Sequence, residues 1–217
     1  MAQDTKKKYL RLLSLSGAIG VAFYIAHVII GGYLWDGYSH IRQTISELTA
    51  TGAPNAEFLR SLTAVYGLLL VIFANCAYVI FKRKKLSKVS ILGAFFLIIM
   101  ELFSFVGYTL FPLDQAGSVA NFQNMMHIIV TAVVVICTIA SSYCIGIGLM
   151  RSSRHRKIGV FIFICAIIIT VSGIMTPVIM ANKLLISGLT ERINIFSLQT
   201  WIFALSVYLF ADKEVLS

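Results

Sequence analysis

Histidines and carboxylates are the side chains of this sequence with the most evident catalytic chemistry. Three His or carboxylate ligands and a water make a catalytic zinc site, and the candidates are His27, His40, His127 and Asp114. A metal-free alternative uses Ser46 as nucleophile, His127 as base and Asp114 to orient the base. Neither an H-E-x-x-H nor a G-x-S-x-G motif is present to support these arrangements. A hydrolase, with or without zinc, is therefore an alternative hypothesis, and no metal or other cofactor is favoured.

Arginine and glutamate residues favour binding over catalysis. Arg192 directly follows Glu191, and Arg42 lies in a long loop. A guanidinium group can hold a phosphate or carboxylate by two parallel hydrogen bonds, while apolar helices hold an acyl chain. We therefore expect a lipid or small amphiphile to bind, in a sensing, transport or accessory role. A third hypothesis is structural, with Glu47–Arg192 and Asp114–Arg42 as ion pairs that hold the loops over the helices.

Glu101 is the most costly polar residue, because it lies near the middle of an apolar stretch. Ionisable residues at that depth are expensive in lipid and usually face the interior of a helix bundle. Ser104 and Tyr108, three and seven residues later, share its helix face. Most polar residues of the apolar stretches lie in one half of the membrane, which predicts a cavity that opens to one side. The predicted site is one polar cluster at that end, comprising Arg42, Ser46, Glu47, Glu101, Asp114, His127, Glu191 and Arg192.

Six apolar stretches must position these residues. A helix needs about 20 mostly apolar residues to cross a bilayer, and its backbone must be hydrogen-bonded internally there. The chain is 59% hydrophobic and 12% charged, against about 25% charged residues in a soluble domain. We therefore predict an all-α polytopic membrane protein, a six-transmembrane-helix bundle in which residues 1–217 form a single membrane domain. The predicted spans are residues 12–34, 61–81, 89–111, 125–150, 158–180 and 193–210.

The distribution of charge predicts the side of the membrane on which each loop lies. The formal net charge is +9, and most basic residues fall at the N-terminus and in the second and fourth loops. By the positive-inside rule, both termini are cytoplasmic and the protein is a multi-pass protein of the cell membrane. A basic rim that faces anionic headgroups accounts for this charge. Membrane lipids are therefore the expected partners, and no nucleic-acid motif is present.

The first outer loop, residues 35–60, is the longest and has a pattern of its own. Ile41, Ile45 and Leu48 recur at helical spacing. Ser39 is a suitable N-cap, and the Gly and Pro residues at positions 52 and 54 can end a helix. This pattern predicts a short amphipathic helix that lies on the outer surface or folds over the mouth of the bundle.

Three segments resemble a known family. They are residues 37–48 (GYSHIRQTISEL) with residues 52–54 (GAP), residues 111–114 (FPLD) with residues 126–127 (MH), and residues 188–192 (GLTER). Together they resemble a family of small bacterial six-helix membrane proteins, domain of unknown function 998, and the likeness covers nearly the whole chain. The resemblance implies the six-helix fold but no activity. It also implies that the family's marked positions are Ser46, Glu47, Asp114, His127, Glu191 and Arg192.

Overall fold

The structure, a computed structural model, describes residues 2–114, 121–182 and 184–212. These residues form eight α-helices and no strand, so the predicted all-α class is confirmed. The helices are α1 (Ala2–Ser14), α2 (Ser16–Leu34), α3 (Ile45–Leu48), α4 (Ala56–Arg83), α5 (Lys88–Leu110), α6 (Phe122–Met150), α7 (Arg156–Ala181) and α8 (Ser187–Ala211).

Among the residues that the structure describes, six helical segments are long and apolar enough to cross a membrane, in agreement with the sequence. The first runs from Lys8 to Leu34 across α1 and α2, and α4 to α8 supply the other five. Two helices extend well beyond their predicted spans at one end. α4 begins at Ala56 rather than at residue 61, and α8 begins at Ser187 rather than at residue 193. The added turns are polar, and hydropathy alone does not recognise polar turns as helix.

The six spans form a closed ring in chain order. α2 packs against α4, each of α4 to α7 packs against the next helix, and α8 returns to α2. Short connections favour such antiparallel neighbours. Small residues bring the backbones together, as is usual between helices in lipid. A Cβ added to Gly93 of α5 would lie only 2.7 Å from the backbone nitrogen of Ile145 in α6.

The two ends of the bundle differ, and we call them the terminal face and the loop face. The terminal face carries the last turn of α1 and the end of α8. There Arg11 donates a hydrogen bond to the Phe210 carbonyl, and Arg154 forms an ion pair with Asp212. The loop face carries the connections that follow α2, α5 and α7. In the half of the bundle nearer the terminal face, the large apolar side chains of Phe73, Ile80, Phe81, Leu205 and Leu209 are buried together with the hydroxyl residues Ser90, Ser141 and Ser142.

The first loop contains a helix, but a shorter one than the sequence predicts. α3 has four residues, whereas residues 39–43 form a turn in which Gln43 N–H donates to the Ser39 carbonyl at 2.8 Å. Ser39 is therefore not the N-cap. Thr44 is the N-cap, and its backbone N–H donates to Glu47 Oε1 at 2.9 Å. This reciprocal capping interaction satisfies free backbone N–H groups at the N-terminus of α3. The helix therefore begins after Thr44 and not after Ser39.

The first loop folds over the mouth of the bundle and contacts it on several sides. Leu48 of α3 is fully buried. On one side, Leu189 N–H of α8 donates to the Ile41 carbonyl at 3.0 Å. On another side, Thr51 N–H donates to the Leu113 carbonyl, just after α5, at 2.7 Å. The loop therefore joins α8 to the end of α5 across the loop face.

Candidate functional site

The first turns of α8 hold the first loop in place. Glu191 Oε2 accepts a hydrogen bond from the N–H of Ile45, the first residue of α3, at 2.7 Å. A carboxylate at a helix N-terminus satisfies a free N–H group and meets the positive end of the helix dipole. The Ser187 hydroxyl also donates to the Arg42 carbonyl at 2.7 Å. Glu191 and Ser187 thus fix the loop against α8.

Arg192 is buried, with 7% of its surface exposed. Its Nη1 donates to the carbonyls of Gln43 and Gly188 at 2.7 and 2.9 Å. Its Nη2 donates to the Tyr38 hydroxyl at 2.7 Å. Within the described ranges, its Nε has no partner and no carboxylate lies within 4.0 Å of its nitrogens. Only neutral dipoles therefore surround this buried positive charge at hydrogen-bond distance.

Glu47 and Ser46 are engaged at the N-terminus of α3. Glu47 accepts hydrogen bonds from the Thr44 hydroxyl at 2.9 Å and from Gln43 Nε2 at 3.2 Å. Ser46 Oγ lies 3.1 Å from Thr44 Oγ1. The predicted ion pair between Glu47 and Arg192 does not form, because the capping interaction holds the Glu47 carboxylate within its own loop.

Tyr38 connects the arginine to the rest of the first loop. Its hydroxyl donates to the Thr44 carbonyl at 2.7 Å and accepts from Arg192. Burial raises the pKa of Tyr38 to about 12, against the opposing effect of the nearby guanidinium. The hydroxyl is therefore neutral and can donate. His40 packs edge-on against the Tyr38 ring at 5.2 Å, and burial, followed by the Arg192 charge, lowers the pKa of His40.

Asp114 belongs to a second polar group, at the loop-face ends of α5 and α6. Asn121 Nδ2 donates to Asp114 Oδ2 at 2.9 Å. Asp114 N–H donates to Asn124 Oδ1 at 2.8 Å, and Asn124 Nδ2 donates to the Asp114 carbonyl at 3.0 Å. Thr51 pairs with Asp114 as an isolated bridge, so this group also contacts the first loop. Arg42 lies on the α8 side of that loop, and no ion pair joins it to Asp114.

His127 lies between α5 and α6, one turn of α6 below Asn124. Its Nδ1 is 2.9 Å from the Phe111 carbonyl oxygen, and its ring centre is 5.1 Å from that of Tyr108. The Tyr108 hydroxyl donates to Thr131 Oγ1 at 3.2 Å, and Thr131 in turn donates to the His127 carbonyl at 2.8 Å. These residues form a polar path from the loop face into the bundle.

The candidate zinc ligands contact other groups and not one another. His27 Nδ1 is 2.8 Å from the Tyr24 carbonyl oxygen within α2, and the His40 ring fills the space beside Gly32. In the part of the chain that the structure describes, no three His, Cys, Asp or Glu residues group closely enough to hold a metal ion. In the alternative triad, Ser46 and His127 bond to Thr44 and the Phe111 carbonyl rather than to each other.

Glu101 is fully buried in the middle of α5. Neither of its carboxyl oxygens has a hydrogen-bond partner among the described residues. Tyr66 of α4 lies within electrostatic range of the carboxyl group, and the Tyr66 hydroxyl accepts a hydrogen bond from Gln199 Nε2 of α8 at 2.8 Å. Three helices therefore bring polar groups to the centre of the bundle.

A groove of about 670 Å³ lies between α2 and α8, on the flank of the bundle. Gln199 is the buried polar residue that lines it, with 2% of its surface exposed, and its Oε1 has no partner among the described residues. Gln199 follows Arg192 by seven residues, so it lies on the same face of α8, about 10 Å deeper. The other lining residues are Val21, Ala22, Ile25, Ala26 and Ile29 of α2 and Phe196, Thr200 and Phe203 of α8.

The predicted site residues fall into three places rather than one. The first loop and α8 hold Arg42, Ser46, Glu47, Glu191 and Arg192; the α5–α6 end holds Asp114 and His127; Glu101 lies below both, in the bundle. Tyr38 and Tyr66 were not predicted as site residues, because a tyrosine in the sequence does not by itself indicate a functional contact. The seven-residue spacing of Arg192 and Gln199 was a usable signal, because it places both on one helix face.

Comparison with known proteins identifies the family. A family model described as "Protein of unknown function (DUF998)" matches residues 18–208, which include parts or all of the six spans. The chain therefore belongs to this family, as its motifs implied. No curated protein and no solved structure gives a significant match.

Proposed function

We propose that the protein binds an anionic amphiphile, with the anionic group at Arg192 and the chain in the groove between α2 and α8. The observation that carries this proposal is the buried Arg192 charge, which no carboxylate of the described residues compensates within 4.0 Å. A buried charge without a partner is strongly destabilising. A phosphate or carboxylate that accepts from Arg192 Nε would remove this cost by a charge-assisted hydrogen bond.

The groove supplies the apolar half of the site. Phe196 lies one helical turn below Arg192 and lines the groove, so an amphiphile with its headgroup at the arginine has to extend about one turn inward for its chain to reach the groove. Apolar walls with one well-placed polar group are typical of small-molecule sites. Gln199 Oε1, which has no partner among the described residues, could accept a hydrogen bond from a hydroxyl group of the ligand. The groove lies on the flank of the bundle, so a lipid can enter it from the bilayer without crossing water.

Binding fits this site better than hydrolysis does. The candidate nucleophile Ser46 bonds to Thr44 rather than to a histidine, and a binding site needs no activated nucleophile. The charge of the loops puts the loop face outside the cell membrane, so the ligand comes from the outer leaflet. Binding there would serve a sensing, transport or accessory role.

The experiment measures the thermal stability of the purified protein in neutral detergent as phosphatidylglycerol is added. A ligand present at a hundred times its Kd stabilises the native state by about 2.7 kcal/mol. We expect a saturable rise in Tm with phosphatidylglycerol and no rise with phosphatidylcholine or with inorganic phosphate. Equal effects of the two lipids would refute the role of the anionic group. An equally large rise in Tm with inorganic phosphate would mean that the site binds a simple anion and not an amphiphile.

Matched variants test each half of the site. Arg192→Gln should abolish the lipid-dependent rise in Tm, whereas Arg42→Gln, at an exposed arginine of the same loop face, should keep it. Arg192→Gln also loses hydrogen bonds of the fold, so a second variant is needed. Ala22→Phe fills the groove without touching Arg192, and it should reduce the rise, while Ala132→Phe on the exposed face of α6 should not. A full rise in Ala22→Phe contradicts the proposed position of the chain.

Metal analysis separates binding from the zinc hydrolase alternative. We expect chelators to leave the lipid-dependent rise in Tm unchanged, because the proposed contacts need no metal. Stoichiometric zinc that co-purifies with the wild type and is lost in His127→Ala would replace this proposal by a hydrolase.

A further inference from the structure

The centre of the bundle holds an acidic group that the amphiphile site does not use. Glu101 lies nine residues before the end of α5, which puts it about 14 Å from the loop-face end of that helix. It is fully buried, and both carboxyl oxygens lack a hydrogen-bond partner among residues 2–114, 121–182 and 184–212. A carboxylate held in this way would be an uncompensated charge in an apolar medium, which is among the most costly arrangements in a protein.

The neighbouring helices bring no positive charge to this depth. The sequence of α6 contains no Asp, Glu, Lys or Arg, and the charged residues of α4 lie at positions 57, 60, 82 and 83, near its two ends. The titratable groups that surrounding helices bring towards the centre are mainly phenols, and His27 of α2 and Cys137 of α6 are also buried in the bundle. The Tyr66 hydroxyl of α4 is within electrostatic range of Glu101, of Tyr24 in α2 and of Tyr108 in α5 itself. The nearest charged residues of α8, Glu191 and Arg192, lie two turns closer to the loop face than Gln199.

The unpartnered polar atoms of this part of the bundle are of both kinds. Gln199 donates to the Tyr66 hydroxyl, but Gln199 Oε1 has no donor and Trp201 Nε1 has no acceptor among the described residues. A group that can both donate and accept suits such surroundings. A neutral carboxylic acid adds one donor, whereas a carboxylate adds only acceptors.

We propose that Glu101 is a proton-binding site of the bundle, which holds one proton on its carboxyl group and exchanges it with the loop face. The carboxylate takes a proton from water at that face to form the neutral acid, and the reverse step returns the proton to water. Glu101 does not line the groove of the amphiphile site, although Gln199, which does, bonds to Tyr66 beside Glu101.

The direction of exchange follows from what lies on each side of Glu101. Towards the terminal face, the buried hydroxyl groups include those of Thr138, Ser141 and Ser142 in α6. Thr138 and Ser141 donate to carbonyls of their own helix, and Ser142 has no partner among the described residues. Towards the loop face, Tyr108 lies two turns further along α5 and its hydroxyl donates to Thr131. His127 continues this path to the loop face. The polar groups that lead to a histidine at the mouth of the bundle lie on the loop-face side, and for this reason exchange is proposed with that face.

The test uses dicyclohexylcarbodiimide, which reacts with protonated carboxyl groups in apolar surroundings. The full-length protein is reconstituted in liposomes with known orientation, and mass spectrometry measures labelling of the peptide that contains Glu101. We expect labelling to fall when the pH is raised on the loop face alone, and to stay constant when the pH is raised on the terminal face alone. Absence of labelling at acidic pH, or labelling that follows the pH of the terminal face, overturns the proposal.

Two variants and one ion complete the test. Glu101→Gln imitates the neutral acid, so it should fold and melt like the wild type while the label is lost. Glu57→Gln removes a carboxyl group at an exposed position of α4, and labelling of Glu101 should be unchanged in that variant. Sodium ions added at constant pH should leave labelling unchanged. Suppression by sodium would mean that Glu101 binds a metal cation instead of a proton, and a strongly destabilised Glu101→Gln would mean that the wild-type group is ionised; either result refutes the proposal.

Discussion

The substitution Gly188→Ala should have two opposing effects on stability at the start of α8: a gain in helix propensity and a clash with the first loop. Gly188 is a helical residue, and alanine in place of glycine stabilises a helix interior by about 1 kcal/mol. In this fold, however, a Cβ at position 188 would lie 2.1 Å from the carbonyl oxygen of Gln43. That oxygen belongs to the backbone of the first loop and accepts the hydrogen bond of Arg192 Nη1. The loop must therefore move away from α8.

The expected magnitude follows from the contacts that this movement breaks. A displaced loop loses the hydrogen bonds Arg192–Gln43, Glu191–Ile45 and Leu189–Ile41. Hydrogen bonds to charged groups contribute about 1.5–3 kcal/mol each, and a neutral one contributes about 0.5–1.5 kcal/mol. After the gain in helix propensity, the docked position of the loop should be weakened by about 2.5–6.5 kcal/mol.

Hydrogen exchange with mass spectrometry measures this loss directly. The amide of Ile45 is protected only while the loop is docked, so its peptide should exchange at least about tenfold faster in Gly188→Ala, since about 1.4 kcal/mol corresponds to tenfold. Gly173→Ala in α7 is the matched control, because among the described residues its added Cβ meets a side-chain atom, Asn194 Nδ2 at 3.0 Å, rather than the backbone of the first loop. A Gly188→Ala protein with unchanged exchange in the first loop and a higher Tm would refute the reasoning.

Two further predictions concern topology and pH. In a background without the native cysteines, Asn55→Cys should react with an impermeant thiol reagent added outside cells and Ser153→Cys should not, because the distribution of charge predicts that the loop face is outside. The reverse pattern would contradict the predicted orientation. Tyr38→Phe should destabilise the protein at neutral pH by removing the Arg192 hydrogen bond. Because folding raises the pKa of Tyr38 from 10.0 to about 12, the wild-type advantage is complete below pH 10 and is lost as the pH rises to about 12. Thermal melts of both proteins across this range measure it, and a constant difference would contradict the assigned neutral hydroxyl.

Polar residues inside apolar stretches show how far sequence alone reaches towards the site. Glu101 could be singled out because lipid makes such a group costly wherever it points, and Arg192, just outside a predicted span, because its guanidinium group beside Glu191 suits an anion. Their partners could not be identified. The nitrogens of Arg192 bond to Gln43 and Tyr38, which are about 150 residues away in sequence. The prediction of an ion pair between Glu47 and Arg192 was wrong, because a local capping interaction at Thr44 holds the Glu47 carboxylate.

The sequence by itself determined the number of spans, their approximate limits and the class of fold. It could do so because a membrane-spanning helix must satisfy its own backbone and needs a fixed length of apolar residues. Only the tertiary structure decided which helix faces meet. Lipid is as apolar as the interior of the bundle, so lipid-facing Phe203 and buried Ile202 are equally apolar in the sequence. The closure of α8 onto α2, the groove between them and the position of the first loop over the mouth all depend on that choice of faces.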